Sequence, residues 1–399
     1  MPRILSFVVF LAIALTILGA MHGYIWVRLV RDPGIAEPWR RISSAVLVLL
    51  LLSFPAAMFL RRSGSAFGQI FPTLAFGWLG VAFLLLIVLL AVDGVRLLLA
   101  GWDLAAGWLR VRQAESPPDP ARRILVAQAV AGAALAVTGA TTAFAVRRAG
   151  GPARIDEVPV PIARLPRELS GLTIAQITDL HVGPTIREKE VRRVVEQTNG
   201  LRPDVIAVTG DLVDGSVRDL GPIVAQMAGL KARLGVFFVT GNHEYYAGFE
   251  EWDPFLRSLG MKVLHNERTT IGDAAAGGAT VDLAGVDDYG HSMDLRRALD
   301  GRDGDRALVL LAHQPRGIES AVRSGVDLQL SGHTHGGQIV PFNYVVGLTQ
   351  PFVRGLHRVE EPSASRSGHI YVSRGTGYWG PPMRLGSPPE IAKIVLVAG

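Results

Sequence analysis

Side chains that can bind metal ions gather in five short motifs of this 399-residue chain. The motifs are TDLH (178–181), TGDL (209–212), TGNHE (240–244), AHQ (312–314) and SGHTHGGQ (331–338). They contain eight His, Asp and Asn candidates: Asp179, His181, Asp211, Asn242, His243, His313, His333 and His335. A lone loop histidine is usually a surface residue, but five such motifs are hard to explain by chance. The chain has no Cys, so any metal site must use oxygen and imidazole ligands, a set that suits Mn, Fe, Zn or Ni.

Each motif follows a short apolar run that predicts a buried β-strand. The apolar runs after residue 171 are LTIAQIT, DVIAVT, GVFFVT, ATVDLAG, ALVLLA, VDLQLS, HIYVS and IAKIVLV. Helical patterns lie between them, over 187–199, 220–230, 249–259, 295–299 and 316–323. This alternation predicts an α/β domain with helices packed on either one twisted sheet or two packed sheets. Ligands of α/β sheets bind at the carboxyl ends of the strands, so we expect the five motifs to meet there.

The number of candidate ligands favours a pair of metal ions over a single ion. Seven of these side chains, as oxygen or imidazole ligands, are too many for one tetrahedral ion and suit two ions that share a carboxylate. Two metal ions about 3.5–4 Å apart bind a phosphoryl group, ionise a water and neutralise the leaving oxygen. Gly210, Gly241 and Gly332 precede three candidates, and a residue without Cβ permits tight turns and close backbone approach to a bound anion. The motifs therefore predict phosphoryl chemistry.

The order D-x-H, G-D-x-x, G-N-H-E, a lone His and G-H-x-H resembles the calcineurin-like metallophosphoesterases. The resemblance covers residues 172–399 and implies a four-layer α/β/β/α sandwich. It also implies a phosphoric ester hydrolase with two divalent metal ions. By this resemblance one ion is bound by Asp179, His181, Asp211 and His335, and the other by Asp211, Asn242, His313 and His333, with Asp211 bridging.

The resemblance gives His243 a role other than metal binding. The His of G-N-H-E lies beside the substrate in this family, where it protonates the leaving group or stabilises phosphoryl charge. Asp211 and His243 are therefore the expected catalytic residues, and Glu244 is expected to orient His243.

Departures from family subgroups bear on the substrate. Protein Ser/Thr phosphatases with this signature grip phosphate with Arg beside the second motif or just before G-N-H-E, whereas GDLVDGS and VTGNHE contain none. GHTHGGQ and SRGTGYWGPPMRLGSPPEI (373–391) instead resemble a bacterial membrane-associated branch, some members of which cleave the pyrophosphate of UDP-diacylglucosamine. We therefore expect a phosphodiester or pyrophosphate substrate, for instance a lipid or nucleotide-sugar lipid such as UDP-2,3-diacylglucosamine, and membrane lipid as a partner.

Two late segments combine aromatic residues with arginines. PFNYVVGLTQPFVRGLHR (341–358) and GYWGPPMR (377–384) contain Arg354, Arg358 and Arg384. One interpretation is a rim that contacts an amphiphile, with apolar residues for acyl chains and arginines for phosphate. The other is an ordinary surface loop with packed aromatic residues.

The N-terminal part of the chain has the composition of a membrane anchor. Four uncharged stretches, 4–27, 42–60, 63–92 and 124–146, have about the 20 residues that cross a hydrocarbon core of ~30 Å. They predict four transmembrane helices of a multi-pass protein of the cell membrane; the alternative is three spans and a re-entrant or interfacial piece. Segment 92–112 mixes Leu and Trp with spaced charges, which predicts an interfacial amphipathic helix.

We divide the chain into an anchor (1–148), a linker (149–171) and a phosphoesterase domain (172–399). The linker is rich in Pro and Gly and suits an extended tether. Residues 1–155 hold 15 Arg, no Lys and 6 acidic residues, a net +9, whereas the remainder has 25 basic and 29 acidic residues, a net −4. The basicity therefore belongs to the anchor and is not the basic domain face that indicates nucleic-acid binding.

The distribution of Arg around the four stretches favours one orientation. Nine Arg lie on the side of the first and third loops, and six lie on the side of the termini. Because positively charged loops are retained in the cytoplasm, both termini and the phosphoesterase domain are expected on the extracytoplasmic side.

Two other functions are compatible with a membrane anchor. One is a catalytically degenerate sensor or scaffold that binds a phosphorylated ligand, but no candidate ligand residue is missing. The other is a transporter, which needs charges within its spans, and only Asp93 borders one, at its end. The sequence leaves the oligomeric state, the native metals and the preference for mono- or diesters open.

Overall fold

The computed structural model describes residues 2–60, 66–109, 119–272 and 278–399. The chain forms two compact units, residues 1–145 and residues 146–399. We call them the helical unit and the catalytic unit, and each is described by itself.

Four long helices make up the helical unit: α1 (Pro2–Trp26), α2 (Trp39–Leu60), α3 (Ala66–Leu109) and α4 (Pro120–Ala149), the last of which runs on past the unit boundary. All four are long and apolar enough to cross a membrane. They match the four predicted spans, although residues 63–65 at the start of the third lie outside the described residues. The described part of the predicted interfacial helix over 92–112 is helical, and it continues α3 without a break through residue 109.

Asp93, which borders the third predicted span, lies within the longer helix α3. The Tyr24 hydroxyl donates to its carboxylate at 2.6 Å, and Arg28 forms an ion pair with it. Its charge is therefore paired within the helical unit.

The catalytic unit contains two six-stranded sheets. The first has the order β1-β12-β2-β3-β4-β5, and its strands are β1 (Arg154–Ile162), β2 (Thr173–Ile177), β3 (Val205–Val208), β4 (Gly235–Phe238), β5 (Met261–Val263) and β12 (Glu390–Ala398). The second has the order β10-β11-β9-β8-β7-β6, and its strands are β6 (Glu267–Gly272), β7 (Thr280–Gly285), β8 (Leu308–Leu311), β9 (Leu328–Ser331), β10 (Gly355–Glu361) and β11 (Arg366–Val372).

Short helices connect these strands: α5 (Glu188–Gly200), α6 (Val217–Val224), α7 (Asn242–Ala247), α8 (Phe249–Ser258), α9 (Leu295–Leu299), α10 (Ile318–Arg323) and α11 (Phe342–Val346). Helix α5 shows why they form where they do. Its Val191, Val194, Val195 and Thr198 recur at helical spacing and are all buried, while the residues between them are polar. The helix therefore packs one apolar face on the first sheet.

Three apolar clusters separate four layers. Alternate strand residues, such as Val205 and Ala207 of β3 and Val309 and Leu311 of β8, fill the cluster between the two sheets. The opposite face of the first sheet packs against α5, α6 and α8 around Trp252. The opposite face of the second sheet packs against α9 and α10. This is the α/β/β/α sandwich that the family resemblance predicted.

Residues 154–162, which the sequence analysis assigned to an extended tether, instead form the edge strand β1. The strand pairs with β12 in parallel over its whole length. Val160 and Ile162 are buried between the sheets. Ile155, on the same strand, is exposed.

This pairing predicts that Ile162→Ala lowers the free energy of unfolding of the catalytic unit by about 2–5 kcal/mol, the usual cost of emptying a buried isoleucine site. Ile155→Ala, a matched change at an exposed position of the same strand, is expected to change it by less than about 0.5 kcal/mol. Pulse proteolysis of the detergent-solubilised chain in urea measures both. Equal and small effects would mean that this stretch is a tether after all.

Candidate metal centre

The five motifs meet at the carboxyl ends of parallel strands. Strands β2, β3 and β4 are parallel neighbours in the first sheet, and β8 and β9 are parallel neighbours in the second. Backbone hydrogen bonds join the motifs beyond the strands. The amide of Asp179 donates to Gly210 O at 3.0 Å, and that of Gly332 donates to His313 O at 2.8 Å. The predicted convergence at one edge of the sandwich is therefore present.

The backbone at this edge is left-handed at most of the candidate ligands. The φ angles are 53° for Asp179, 52° for His181, 52° for Asp211, 69° for His333 and 51° for His335. Such a conformation costs a non-glycine residue on the order of 1 kcal/mol or more and persists only where the surroundings enforce it. All five residues lie in the loops that follow β2, β3 and β9.

The glycines of the motifs make room for neighbouring loops. A Cβ on Gly241 would overlap the Asp211 carboxylate, and a Cβ on Gly332 would overlap Asp179 and Thr178. A Cβ on Gly210 would overlap the backbone of Gly241. The close backbone approach that these glycines permit includes contacts with other motifs of the protein.

Asp179, His181 and His335 form a first cluster whose ligand atoms all lie within 4.8 Å of one another. His335 Nε2 lies 3.5 Å from Asp179 Oδ1 and 3.1 Å from His181 Nε2. All three residues are buried.

Asp211, His313 and His333 form a second cluster of the same size. Asp211 Oδ2 lies 3.1 Å from His313 Nε2, and His313 Nε2 lies 3.3 Å from His333 Nδ1. The same carboxylate oxygen is 3.9 Å from His181 Nε2 of the first cluster. Asp211 therefore lies between the two clusters, as a bridging ligand must.

Asn242 is the first residue of α7 and follows the fourth strand. Its Oδ1 is buried and has no hydrogen-bond partner in the described part of the chain. A buried amide oxygen without a partner is costly, so this atom is suited to a cation. The seven predicted ligands thus comprise two clusters of three and an unpaired amide oxygen.

Electrostatics also favour a cation at this edge. Burial acts to lower the pKa of His313, but the Asp211 and Asp179 carboxylates raise it to about 10. Burial lowers the pKa of His333 to about 4, with the positive charge of His313 acting in the same direction. The carboxylates therefore attract a proton to a fully buried imidazole. Divalent cations bound to neutral imidazoles would balance the negative charge of the same carboxylates.

Hydrogen bonds on the far side of the His313 and His181 imidazoles fix which nitrogen faces the clusters. His313 Nδ1 donates to Thr209 O at 2.8 Å, and His181 Nδ1 donates to Asp214 Oδ1 at 3.0 Å. In both residues Nε2 is left for a metal ion, and such outer contacts set the tautomer of metal-binding histidines. Donor types, burial and orientation all fit divalent metal ions.

Asp214 is a functional residue that the sequence analysis missed. Its Oδ1 accepts from His181 Nδ1 and also from His243 Nδ1, the latter at 2.6 Å. It therefore orients both a candidate ligand and the predicted catalytic histidine. Its position in GDLVDGS, three residues after Asp211, was the available signal.

Glu244 does not orient His243, contrary to the expectation. Its fully buried carboxylate accepts the amides of Asp211 at 2.9 Å, Leu212 at 2.7 Å and Gly241 at 2.7 Å. It therefore fixes the loops after β3 and β4 to each other. The orienting role belongs to Asp214.

Arg384 of the predicted rim is not available to grip phosphate. Arg384 is fully buried and donates to backbone carbonyls, among them His335 O at 2.9 Å, and lies 3.1 Å from His335 Nδ1. Arg354 donates to Gly386 O at 3.0 Å. Arg384 thus supports the loop that carries His335.

Comparison with known proteins accounts for this arrangement. The family model for calcineurin-like phosphoesterases matches residues 172–337. A "transmembrane protein with metallophosphoesterase domain" from Bos taurus is 36% identical over 407 residues, which cover 96% of this chain and 88% of the relative. This chain belongs to the calcineurin-like phosphoesterase family.

Other similar proteins widen the comparison. An uncharacterized metallophosphoesterase from Campylobacter jejuni is 31% identical over 392 residues, 98% of both chains. The crystal structure of the calcineurin-like phosphoesterase YfkN from Bacillus subtilis aligns with a TM-score of 0.33 and 15% identity, over 51% of this chain and 81% of that one. Full-length relatives thus come from an animal and from a bacterium, so the similarity is not confined to a bacterial branch.

Membership of the calcineurin-like phosphoesterases establishes the reaction class. The chain is a phosphoric ester hydrolase, and enzymes of this family use divalent metal ions. The helical unit agrees with the names of its relatives, because homologues are described as transmembrane proteins and this chain has four candidate spans.

Because Asp214 orients His181 and His243 together, Asp214→Asn is expected to weaken metal affinity or turnover by about 10–100-fold. Asp219→Asn is the matched control, since the Asp219 carboxylate accepts from the exposed Ser216 hydroxyl at the start of α6. Hydrolysis of bis(p-nitrophenyl) phosphate at increasing Mn²⁺ measures both changes. An Asp214→Asn variant with the Mn²⁺ dependence and rate of the unaltered chain would contradict the assignment.

Proposed function

We propose that this protein is a membrane-anchored, dinuclear metal-dependent hydrolase of phosphodiester or pyrophosphate bonds. The observation that carries the proposal is the position of Asp211, whose carboxylate lies between the two clusters. A single ion would not need ligand atoms on both sides of this carboxylate.

In this proposal one ion is bound by Asp179, His181, Asp211 and His335, and the other by Asp211, Asn242, His313 and His333. When bound, such a pair supplies the charge that ionises a water and stabilises a phosphoryl group. The protein's own contribution is to bury most of the ligands and to hold the imidazoles of His181, His313 and His335 by their Nδ1 atoms.

His243 acts on the leaving group. Its backbone amide donates to Asp211 Oδ1 at 2.9 Å and its Nδ1 donates to Asp214, which leaves Nε2 for the leaving oxygen. Burial acts to lower the pKa of His243, but Asp214 and Asp211 outweigh it and raise the pKa. A protonated imidazole beside the metal centre can deliver its proton as the phosphorus–oxygen bond breaks.

The substrate is a diester or pyrophosphate carried by a membrane amphiphile. Gly215 and Thr240 occupy the places where protein phosphatases carry the arginines that grip a phosphomonoester. Two exposed aromatic rings, Tyr246 and Trp379, lie 5.4 Å and 5.7 Å from the His243 ring and suit an apolar leaving group. A nucleotide-sugar lipid such as UDP-2,3-diacylglucosamine is one candidate of this class.

This proposal predicts different effects for two substitutions. Asp211→Asn should reduce hydrolysis of any diester to near background, because both clusters lose a shared charge. His243→Ala should cost about 10²–10⁴-fold with diphenyl phosphate, whose leaving group needs a proton, and less with bis(p-nitrophenyl) phosphate, whose leaving group is more acidic. Initial rates of purified protein with Mn²⁺ test both.

Activity that survives Asp211→Asn would refute the dinuclear proposal. An equal loss on the two diesters after His243→Ala would refute the proton-donating role and would leave charge stabilisation as the role of His243.

We also propose that the protein lies in the cell membrane with its catalytic unit on the extracytoplasmic side, as the arginine distribution favours. The chain has no Cys, so a single introduced Cys reports its own location. Lys231→Cys in the catalytic unit is expected to react with an impermeant maleimide on intact cells. Ala36→Cys, in the first loop of the helical unit, should react only after permeabilisation. The reverse pattern would place the catalytic unit in the cytoplasm.

A further inference from the structure

The loop after the last metal-binding motif exposes apolar side chains. We call residues 340–348 the apolar loop; it contains α11. Tyr344 is 73% exposed and Leu348 is 84% exposed. From β1 onward, nine large apolar side chains of the described residues are exposed, and five of them lie on this loop: Val340, Phe342, Tyr344, Val345 and Leu348. Large apolar groups rarely cluster on a surface that faces only water.

Charge is absent from the same part of the sequence. No Asp, Glu, Lys or Arg occurs between Asp327 and Arg354. A solvent-exposed loop normally carries polar residues, so this stretch does not have the composition of a loop that stays in water.

The apolar loop is a built structure. Phe342 N donates to Ile339 O at 2.8 Å, and Gly347 N donates to Asn343 O at 3.0 Å. At its base Gly337 packs so closely on Asn343 that a Cβ would overlap it. The fold therefore presents these side chains outward in a defined arrangement.

The loop is joined to the edge of the metal centre through Gln338. The side chain of Gln338 bonds to the backbone of Trp379 twice. Its Oε1 accepts from Trp379 N at 3.0 Å, and its Nε2 donates to Trp379 O at 2.9 Å. The Trp379 ring is partly exposed and lies 5.7 Å from the His243 ring. Apolar loop, Trp379 and His243 thus form one continuous rim.

Two arginines contact residues that lie next to the apolar loop. Arg316 donates to Thr349 O at 3.1 Å, just beyond the loop, and Arg354 donates to Gly386 O at 3.0 Å. Each guanidinium keeps further N–H groups besides these bonds. Apolar and aromatic side chains next to cationic ones match the layers of a lipid surface, where acyl chains lie beneath anionic headgroups.

We propose that the apolar loop inserts into the surface of a lipid bilayer, with Arg316 and Arg354 at headgroup level. A bilayer is the occupant because the chain itself carries four candidate spans, which keep such a surface within reach of the catalytic unit. Because the rim continues to His243, insertion brings phosphoester bonds of membrane lipids to the metal centre. The inference deepens the proposed function and rests on it for this last step.

The test uses the full chain, reconstituted in vesicles of phosphatidylcholine and phosphatidylglycerol, with one Cys labelled by an environment-sensitive fluorophore. Tyr344→Cys and Leu348→Cys probe the loop. Lys231→Cys is the control, because residue 231 is exposed and precedes β4, at the strand end opposite the metal centre. Spin-labelled acyl chains should quench the loop probes at least about twofold and the control hardly at all, since interfacial insertion reaches about 5–10 Å into the bilayer.

Quenching of the loop probes no stronger than that of the control would overturn the proposal. Disulfide-linked dimers of Leu348→Cys without lipid quenching would overturn it as well, by assigning the loop to contact with a second copy.

A kinetic arm tests substrate access. Leu348→Asp is expected to lower hydrolysis of hexadecyl p-nitrophenyl phosphate in vesicles about tenfold, because a charge opposes insertion, while soluble bis(p-nitrophenyl) phosphate is cleaved within about twofold of the normal rate. Equal rates on the lipid probe would overturn the role in access. If neither diester is cleaved by the unaltered chain, the proposed function fails, whereas the quenching result still decides insertion.

Discussion

Two carboxylates buried from water, Asp179 and Asp211, impose the constraint on which the catalytic unit depends. A buried charge is tolerated only when it is paired and hydrogen-bonded. Here the compensation comes from separate points of the chain, because the nearby imidazoles belong to different motifs and strand ends. The fold must therefore bring those points within a few ångströms, and its parallel strands do so at one edge.

Meeting this constraint strains the backbone locally, and contacts around the strained residues stabilise it. Left-handed backbone at Asp211 is held by Glu244, which accepts four backbone amides from two loops and joins those loops to each other. The motif glycines let those loops touch. Arg384 plays a comparable part around His335, by donating to the carbonyl oxygens of His335 and Arg374. These contacts fix the loops that carry the candidate ligands to one another.

The sequence predicted those features that have local causes. Apolar runs ending in polar motifs located the strand ends, since a buried strand has a simple pattern. Whether the strands formed one sheet or two was not decided by periodicity, because both arrangements bury the same residues; the family resemblance decided it. Strand β1 was missed because Pro159 and Pro161 indicate a loop, yet both are tolerated at an edge where only β12 is a partner.

Side-chain partners were predictable only where the family pattern supplied them. Asp214 and Glu244 both lie close in sequence to candidate ligands, and nothing in that spacing reveals which one reaches His243. Arg384 had the sequence context of a phosphate-binding residue, but distant carbonyls surround it in the fold. Long-range contacts of this kind have no signature in a short segment.

The strand order has a consequence for biosynthesis. Strand β12 lies between β1 and β2, so β2, which carries Asp179 and His181 at its end, lacks one neighbour until residues 390–398 have been made. All other described strands leave the ribosome earlier. The first sheet therefore becomes continuous only when β12 has paired with both β1 and β2.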